Sequence, residues 1–424
     1  MNTATITETA RITGEVLLPT VAGGVLKRRP GVQQIAQRMQ WDRRSVRLLT
    51  GLQDKYGGRP LRLRVPGRSI VLPLSAEDVG AVLAETPVPF SPSTVEKRAA
   101  LGHFQPHGAL ISPLAQRDER RRFNEEVLDP GHALHELAGP FDKAIAEEAA
   151  DLRKALSLDW DRFATSWWRI VRRIVLGAGA RDDDTVTDLL ARLRLDANWA
   201  YLHPRRTEVR RQFLQRLEGH LQRAEPGSLA ENIAKTPSPI PVADQVAHWL
   251  FAFDAAGIVA FRTLALLAAR PGTVHAGPAP ELPYLRACAL ESVRLWPTTP
   301  MLLRETTEPT AWGRAGTTIL VFTPFFHRDH RRMSYADSFV PEIWLDGRAA
   351  AQPALVPFSA GPAICPGRDL VLFTVSTLLA ELLRHRDHHL AGADLSPGRP
   401  LPATVDPFHL RFTARLSEPE RPAP

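Results

Sequence analysis

Apolar and polar residues alternate from Pro60 to Ser75 on both sides of a Pro66-Gly67 pair. Alternation with period two around such a turn pair is typical of a β-hairpin. Ser75, with Asp78 three residues later, predicts the N-cap of a short helix. Residues 85–112 are rich in Pro, Gly and His and show no sustained period. This stretch therefore predicts a long loop, and long loops in folded domains are often functional.

From Arg117 to Leu221, apolar residues recur at helical spacing between charged faces, with breaks at Gly177-Ala178-Gly179 and near Pro204. This pattern predicts a series of amphipathic helices. A Pro-rich break at 237–241 then separates them from the longest apolar segment, Val246 to Ala269.

The segment from Val246 to Ala269 has the length of a membrane span. It carries Asp254 and Arg262 near its middle. Each charge costs a few kcal/mol in lipid, so the segment predicts a helix buried in a folded protein and no membrane span.

The C-terminal third combines helical and β-like patterns. It predicts a helix around Pro283 to Leu295, short strands between Trp312 and Trp344, and a final helix from about Pro366 to Arg384. No internal repeat is present. The expected fold class is mainly α with minor antiparallel β, in one domain of residues 1–424.

Composition and charge exclude several classes of protein. The chain is 44% hydrophobic and 23% charged, which is typical of a globular protein with a large core. Its net charge of +7 is dispersed along the chain, and only six of the 53 basic residues are lysines. We therefore expect no nucleic-acid partner and interpret the arginine excess as coding bias.

Two cysteines, Cys288 and Cys365, stand in a chain whose first residues show no secretory signal. A reducing, cytoplasmic setting is expected. Cys365 lies in a turn rich in Gly and Pro, just before the predicted final helix. Helix-terminal N–H groups favour a thiolate, which is a suitable ligand for iron. An ordinary buried loop cysteine explains the spacing of this turn equally well.

The segment around Cys365 resembles the cysteine-ligand loop of the cytochrome P450 family, Phe-x-x-Gly-x-x-x-Cys-x-Gly. The matching residues are Phe358, Gly361, Cys365 and Gly367. The resemblance implies the cytochrome P450 fold, a helical part of about residues 111–424 with a β-rich N-terminal part of about 15–110. It also implies haem b as cofactor, with Cys365 on the iron and Phe358, Gly361, Ile364 and Gly367 around the ring.

Two further motifs resemble the same family. Glu291-Ser-Val-Arg294 matches its Glu-x-x-Arg ion pair. The segment 336–347 resembles the part of the family that holds an arginine for this pair, but Ile343 stands at the arginine position. Whether Arg331, Arg332 or Arg348 compensates is left open.

By the same resemblance, arginines hold the haem propionates, since guanidinium groups suit carboxylates. Arg304 takes this role, and Arg120, with Gln116 at the position of the usual histidine, takes it on an earlier helix. Ala363 replaces a basic residue two positions before the cysteine. One propionate contact is therefore expected to be missing.

Ala256-Gly257 resembles the start of the family's oxygen-binding helix, where small side chains leave room above the iron. The family follows it with an acid and an alcohol that supply protons, but here Val259 and Ala260 stand at those positions. Protons must then come from ordered water, from Thr263 or from the substrate. Family position also implies substrate contacts for His103, Phe104, His107 and Phe253.

Three functions remain open. The first is a monooxygenase that inserts one atom of O2 into a small organic substrate, with electrons from NAD(P)H through a ferredoxin reductase and a ferredoxin that docks on basic residues near Arg117–Arg122 and Arg368. A setting in bacterial specialised metabolism is expected. The second, motivated by Val259 and Ala260, is peroxide-driven or non-oxygenating chemistry such as coupling, cyclisation, isomerisation or dehydration. The third is a haem-binding scaffold without turnover.

Overall fold

The structure, a computed structural model, describes residues 1–271 and 282–416. Its α-helices are α1 Ile6–Ile12, α2 Leu18–Ala22, α3 Pro30–Met39, α4 Trp41–Tyr56, α5 Ala76–Ala84, α6 Val95–Leu101, α7 Leu114–Leu128, α8 Ala138–Lys154, α9 Trp160–Leu176, α10 Asp184–Ala197, α11 Thr207–Arg223, α12 Leu229–Lys235, α13 Val242–Ala268, α14 Pro283–Leu295, α15 Thr323–His327 and α16 Arg368–Leu383. Its strands are β1 Asn2–Thr3, β2 Leu61–Val65, β3 Arg68–Leu72, β4 Phe90–Ser91, β5 Ser157–Asp159, β6 Met301–Thr306, β7 Thr318–Phe322, β8 Arg386–Ala391 and β9 Arg411–Leu416. The expected class, mainly α with minor β, is confirmed.

The strands form two small sheets. The larger has the order β1-β2-β3-β7-β6-β4, and the smaller has the order β5-β9-β8. β2 and β3 form the predicted antiparallel hairpin, while β7 joins β3 in parallel and β6 in antiparallel orientation. The larger sheet thus brings the region after α14 next to the N-terminal hairpin.

The N-terminal part differs from the β-rich expectation for about residues 15–110. It is helical from α1 to α4. After the two-residue β1, the next strand, β2, begins at Leu61. In α4, Ser45, Leu48, Leu49 and Leu52 are buried on one face, which packs on the core beneath the larger sheet. Helical spacing of these apolar residues explains why the segment is not a strand.

Residues 85–112 are not a continuous loop, because they contain β4 and α6. Thr94 caps α6 by accepting a hydrogen bond from the Lys97 N–H at 3.4 Å. This N-cap lies among prolines that hid the helix from pattern reading. The helix matters for the site because it carries Lys97.

Helices α7 to α11 occupy the predicted amphipathic region, with the expected breaks. Gly177 ends α9 with a φ of +103°, which favours glycine. α13 begins at Val242, four residues before the expected start, and α14 has the expected bounds of Pro283–Leu295.

The main core surrounds α13, which packs against α9, α14 and α16. In the described part of the chain, α13 is the one helix long and apolar enough to cross a membrane, and 83% of its most apolar window is buried inside the protein. The helix is therefore a central core element, and it packs directly on α16, the helix that follows Cys365.

Candidate active site

Cys365 lies between a 3₁₀ turn, Gly361–Ala363, and the start of α16. Its N–H donates to the carbonyl oxygen of Phe358 at 2.9 Å. Gly361 has a φ of +63°, and a Cβ there would lie 2.2 Å from the Leu83 carbonyl oxygen of α5. Only glycine fits this close approach, so the turn that positions Cys365 depends on Gly361.

Burial raises the pKa of the Cys365 thiol. The Gly367 N–H and the positive charge of Arg121 act in the opposite direction, but burial has the larger effect. The helix terminus alone therefore does not produce the expected thiolate. A metal cation bound at Cys365 would supply the missing charge, because a coordinating thiol loses its proton.

Arg304 connects the larger sheet to the cysteine loop. Its side chain is 2% exposed. It donates from Nε to the Thr86 hydroxyl at 3.0 Å and from one terminal nitrogen to the Ser359 hydroxyl at 2.9 Å. All its hydrogen-bond partners are neutral, and burial, with the nearby charge of Arg117, lowers its pKa to about 10. Arg304 is thus a buried cation next to the loop of Cys365.

Lys97 and Arg117 complete a cationic cluster with Arg304. The Lys97 ammonium donates to the carbonyl oxygens of Pro92 and Leu303 at 3.0 and 3.1 Å. Burial and the charges of Arg304 and Arg117 lower the pKa of Lys97 well below its ordinary value, although Glu96 partly offsets them. Arg117 is 5% exposed, and its Nε has no hydrogen-bond partner among the described residues. Two buried arginines and a partly buried lysine at one place attract carboxylates.

The sequence predicted Arg120 as the second propionate contact, whereas the α7 residue in the cationic cluster is Arg117. Arg120 is buried and donates to the Ser112 hydroxyl at 2.7 Å; burial lowers its pKa, and the charges of Asp244 and Glu119 partly offset this. The side chain of Gln116 is exposed. Arg117, one turn before Arg121 on the same helix, was missed as a cofactor residue, and Lys97 was missed because its segment was interpreted as a loop.

The helix α13 carries Ala256, Val259, Ala260 and Thr263 on one face, as their spacing of three and four residues requires. All four are buried. The Thr263 hydroxyl donates to the carbonyl oxygen of Val259 at 2.7 Å. Its proton is therefore held by the main chain of its own helix.

Gly257 and Phe253 face α9. A Cβ on Gly257 would lie 2.7 Å from the indole nitrogen of Trp167. That nitrogen donates to the Phe253 carbonyl oxygen at 2.9 Å, and the two rings lie 6.2 Å apart. The small size of Gly257 thus permits close packing of α13 on α9.

The three predicted substrate residues before α7 have different environments. His103 is 2% exposed, and burial lowers its pKa. Phe104 is fully buried and packs edge-on against Phe251 of α13. His107 is exposed at its side chain and bonds through Nδ1 to Asp244 at 2.9 Å. Substrate contact by these residues stays a prediction.

His248 is a polar residue that sequence reasoning missed. It lies on α13, and its Nδ1 is 2.8 Å from the side-chain nitrogen of Gln105. Burial and the nearby charge of Lys97 lower its pKa to about 4. A partly buried imidazole that favours its neutral form therefore lies on α13 near Lys97.

The Glu291–Arg294 pair is fully buried, and Arg294 donates to both carboxylate oxygens at 2.7 and 2.8 Å. The indole of Trp344 donates to Glu291 at 3.0 Å, and the Val340 N–H donates at 2.9 Å. Arg294 also donates to the carbonyl oxygens of His327, Ala336 and Ser338. Ile343 is buried in a small apolar cluster instead.

The three arginines considered as substitutes are engaged elsewhere. Arg331 pairs with Asp54, Arg332 with Glu77, and Arg348 with Asp346. An indole and main-chain groups thus take the place of the family's third charged residue.

The residues present fit a haem. In residues 1–271 and 282–416, no group of three or more His, Cys, Asp or Glu side chains is placed to hold a metal ion. Cys365 can supply one thiolate, so an organic ring would have to supply the other ligands of an iron there. The cationic cluster suits the two propionates of that ring. The fold and this site fit the class of haem-thiolate proteins.

Comparison with known proteins leads to the same class. Residues 273–398 match the family model described as Cytochrome P450. Cytochrome P450 4g15 of Drosophila melanogaster is 33% identical over 113 residues, which is 25% of this chain and 20% of that protein. The mitochondrial 1,25-dihydroxyvitamin D(3) 24-hydroxylase of Mus musculus is 30% identical over 122 residues, 28% of this chain and 23% of that protein. The chain thus matches about a fifth of the length of these relatives.

Solved structures share the fold over most of the chain. A 6-coordinated cytochrome P450 from Thermus thermophilus superposes with a TM-score of 0.64 and 21% identity, covering 87% of this chain and 98% of that one. The haem domain of cytochrome P450DA gives a TM-score of 0.64 at 15% identity, covering 90% and 94%. Residues 273–398 thus match the cytochrome P450 family model, and most of the chain has the cytochrome P450 fold.

Proposed function

We propose that the protein is a haem-thiolate monooxygenase that inserts one oxygen atom from O2 into a small organic substrate. The observation that carries this proposal is the meeting of the Cys365 loop with the cationic cluster through the Arg304–Ser359 hydrogen bond. Arg304, Arg117 and Lys97 would hold the propionates, and Cys365 would bind the iron. When bound, a thiolate-ligated haem activates oxygen for transfer to the substrate.

The face of α13 at the proposed site carries no side chain that is free to transfer protons. Ala256, Val259 and Ala260 present small or apolar side chains on the buried face of α13. Val259 and Ala260 contain no group that transfers protons, and the Thr263 hydroxyl is held by the main chain. Protons therefore reach the site through ordered water or through a polar group of the substrate.

Electrons come from a small acidic carrier, for which we propose a ferredoxin with its NAD(P)H-dependent reductase. Arg121, whose charge acts on Cys365, and Arg368 of α16 lie on the side of the cysteine loop. Complementary charge steers such partners and makes their association sensitive to salt. We further propose a cytoplasmic location, supported by the two unpaired cysteines, and a role in bacterial specialised metabolism.

The ferrous–CO difference spectrum of the purified protein tests the assignment. A band near 450 nm in the wild type, lost in Cys365→Ser, is expected for a thiolate-ligated haem. The matched control is Cys288→Ser, which changes the other, buried cysteine on α14 and keeps the band. A band near 420 nm in folded wild-type protein, or a band that survives in Cys365→Ser, contradicts the proposal.

A second candidate function is supported by Val259, Ala260 and the engaged hydroxyl of Thr263. An enzyme without its own proton relay suits peroxide-driven oxygenation or a rearrangement that does not cleave O2. The two functions differ in their oxidant. Coupled product with NADH and a ferredoxin pair, but none with hydrogen peroxide, supports the monooxygenase; the reverse result supports the second candidate.

A further inference from the structure

A second polar site lies on another side of α13. A cavity of about 60 Å³ is bounded by Ile258 and Arg262 of α13, by Arg28 and Asp42 near the N-terminus, and by Val405. A cavity needs about 10–15 Å³ to hold one water molecule. The cavity beside Arg262 therefore has room for a carboxylate with a short carbon stem. We call it the Arg28–Arg262 cavity.

Arg262 carries a buried donor without a partner. Its side chain is 7% exposed, and its Nε has no hydrogen-bond partner among the described residues. One terminal nitrogen donates to the Trp296 carbonyl oxygen at 3.3 Å, and the other donates to the Val405 carbonyl oxygen. An unpaired buried N–H of a guanidinium is costly, so a ligand or ordered water is expected to accept from it.

Arg28 adds a second cation with only neutral partners. It donates to the Gly24 carbonyl oxygen at 2.9 Å and to the Thr298 carbonyl oxygen at 2.6 Å. Within the described ranges, neither Arg28 nor Arg262 has a carboxylate oxygen within 4.0 Å. Burial and the charge of Arg28 lower the pKa of Arg262 to about 9.

Asp42 is the acidic residue on the cavity wall, and its carboxyl accepts from the Thr404 hydroxyl at 2.9 Å. Burial raises its pKa, which favours the protonated form. The wall carries two guanidinium groups and one carboxyl group, so the cavity has an excess of positive charge. This excess suits a monoanion, and the apolar wall of Ile258 and Val405 suits a hydrocarbon stem.

We propose that the Arg28–Arg262 cavity binds the carboxylate of an organic monoacid, held between two guanidinium groups. Two sources share this chemistry. One is a free short-chain acid held beside α13. The other is the acidic end of the substrate itself, and this second source rests on the proposed function.

Isothermal titration calorimetry of the full-length purified protein tests the site with acetate, butyrate and hexanoate. The matched neutral probes are acetamide, butyramide and hexanamide. The acids are expected to bind at least about tenfold more tightly than the amides, because charge-assisted hydrogen bonds to arginine are lost with the amides. Equal affinity of acid and amide, or equally tight binding of chloride or inorganic phosphate, overturns the proposal.

Variants assign the binding to the two arginines. Arg262→Gln and Arg28→Gln are each expected to raise the Kd for butyrate about tenfold or more, while Arg211→Gln, an exposed change on α11, leaves it unchanged. Arg28 is only partly buried, so its variant remains informative if Arg262→Gln does not fold. An unchanged Kd in folded Arg28→Gln overturns the proposal.

The Soret spectrum separates the two sources. A shift of the haem band with hexanoate but not with acetate assigns the site to the acidic end of a substrate. Calorimetric binding without any shift assigns it to a free acid. If the protein holds no haem, the proposed function fails. The calorimetric comparison of acids and amides still shows whether the Arg28–Arg262 cavity binds a carboxylate.

Discussion

The indole of Trp344 donates a hydrogen bond to Glu291 across 3.0 Å, at the position where the family's arginine is replaced by its neighbour Ile343. Trp344→Phe removes this donor and leaves a buried carboxylate with one bond fewer. We expect the free energy of unfolding to fall by about 1–3 kcal/mol. Urea unfolding followed by circular dichroism measures it. Trp199→Phe, a change at a more exposed indole, serves as control, and equal stability of both variants contradicts the assigned role.

The cationic cluster is expected to govern haem retention. Arg304→Gln and Arg117→Gln each remove a buried charge facing the proposed propionates, and charge-assisted hydrogen bonds contribute about 1.5–3 kcal/mol. The haem dissociation constant, measured by transfer to apomyoglobin, should rise about tenfold or more in each variant. Arg120→Gln, at the position indicated by sequence, should change it less. A larger effect of Arg120→Gln than of Arg117→Gln contradicts the structural assignment.

Gly257 is expected to tolerate no side chain. A Cβ there overlaps the indole nitrogen of Trp167, and overpacking a core typically costs about 1–3 kcal/mol. Gly257→Ala should therefore lower the melting temperature in differential scanning calorimetry. Gly219→Ala on α11 is the matched control, because nothing lies within 4 Å of the added Cβ and alanine favours the helix. A stabilised Gly257→Ala protein would show that α9 and α13 pack differently.

Thr263 is expected to be dispensable for proton supply. Its hydroxyl already donates to the Val259 carbonyl oxygen, and valine replaces threonine with almost the same shape. Thr263→Val should keep the ratio of product formed to NADH consumed within about twofold, since only a structural hydrogen bond is lost. A collapse of this coupling ratio in folded, haem-loaded protein shows instead that Thr263 transfers protons.

His327 is expected to make stability depend on pH. It is fully buried, its Nε2 accepts from the Val356 N–H at 3.1 Å, and burial lowers its pKa from 6.5 to about 3. The unfolded chain thus binds a proton between pH 6.5 and about 3 while the folded one does not. The contribution of His327 to the free energy of unfolding is therefore complete above pH 6.5 and is lost as the pH falls toward about 3.

His327→Gln removes this titration and should make the free energy of unfolding less steep over that interval, with urea unfolding at several pH values as the measurement. The exposed His330→Gln is the control and should leave the slope unchanged. An identical slope in wild type and His327→Gln excludes His327 as a source of the acid sensitivity.

Local signals in the sequence were sufficient to predict the helices and strands that have strong periodicity. The hairpin around Pro66-Gly67, the bounds of α14 and the long core helix follow from period and turn residues, which act over a few neighbouring positions. Short elements were missed because they contain too few residues to show a period. α6 has seven residues among prolines and glycines, and its cap at Thr94 is too weak a pattern to separate from a loop.

The sequence by itself determined the cysteine, its glycine-supported turn and the local Glu291–Arg294 pair, because each lies within a few consecutive residues. Only the tertiary structure decided which charges meet. Lys97, Arg117 and Arg304 come from α6, α7 and β6, and Arg28 and Arg262 are separated by more than half of the chain. These positive charges can bind an anion because the folded structure removes them from water. An exposed arginine is solvated, whereas a buried arginine without a carboxylate partner attracts an anion.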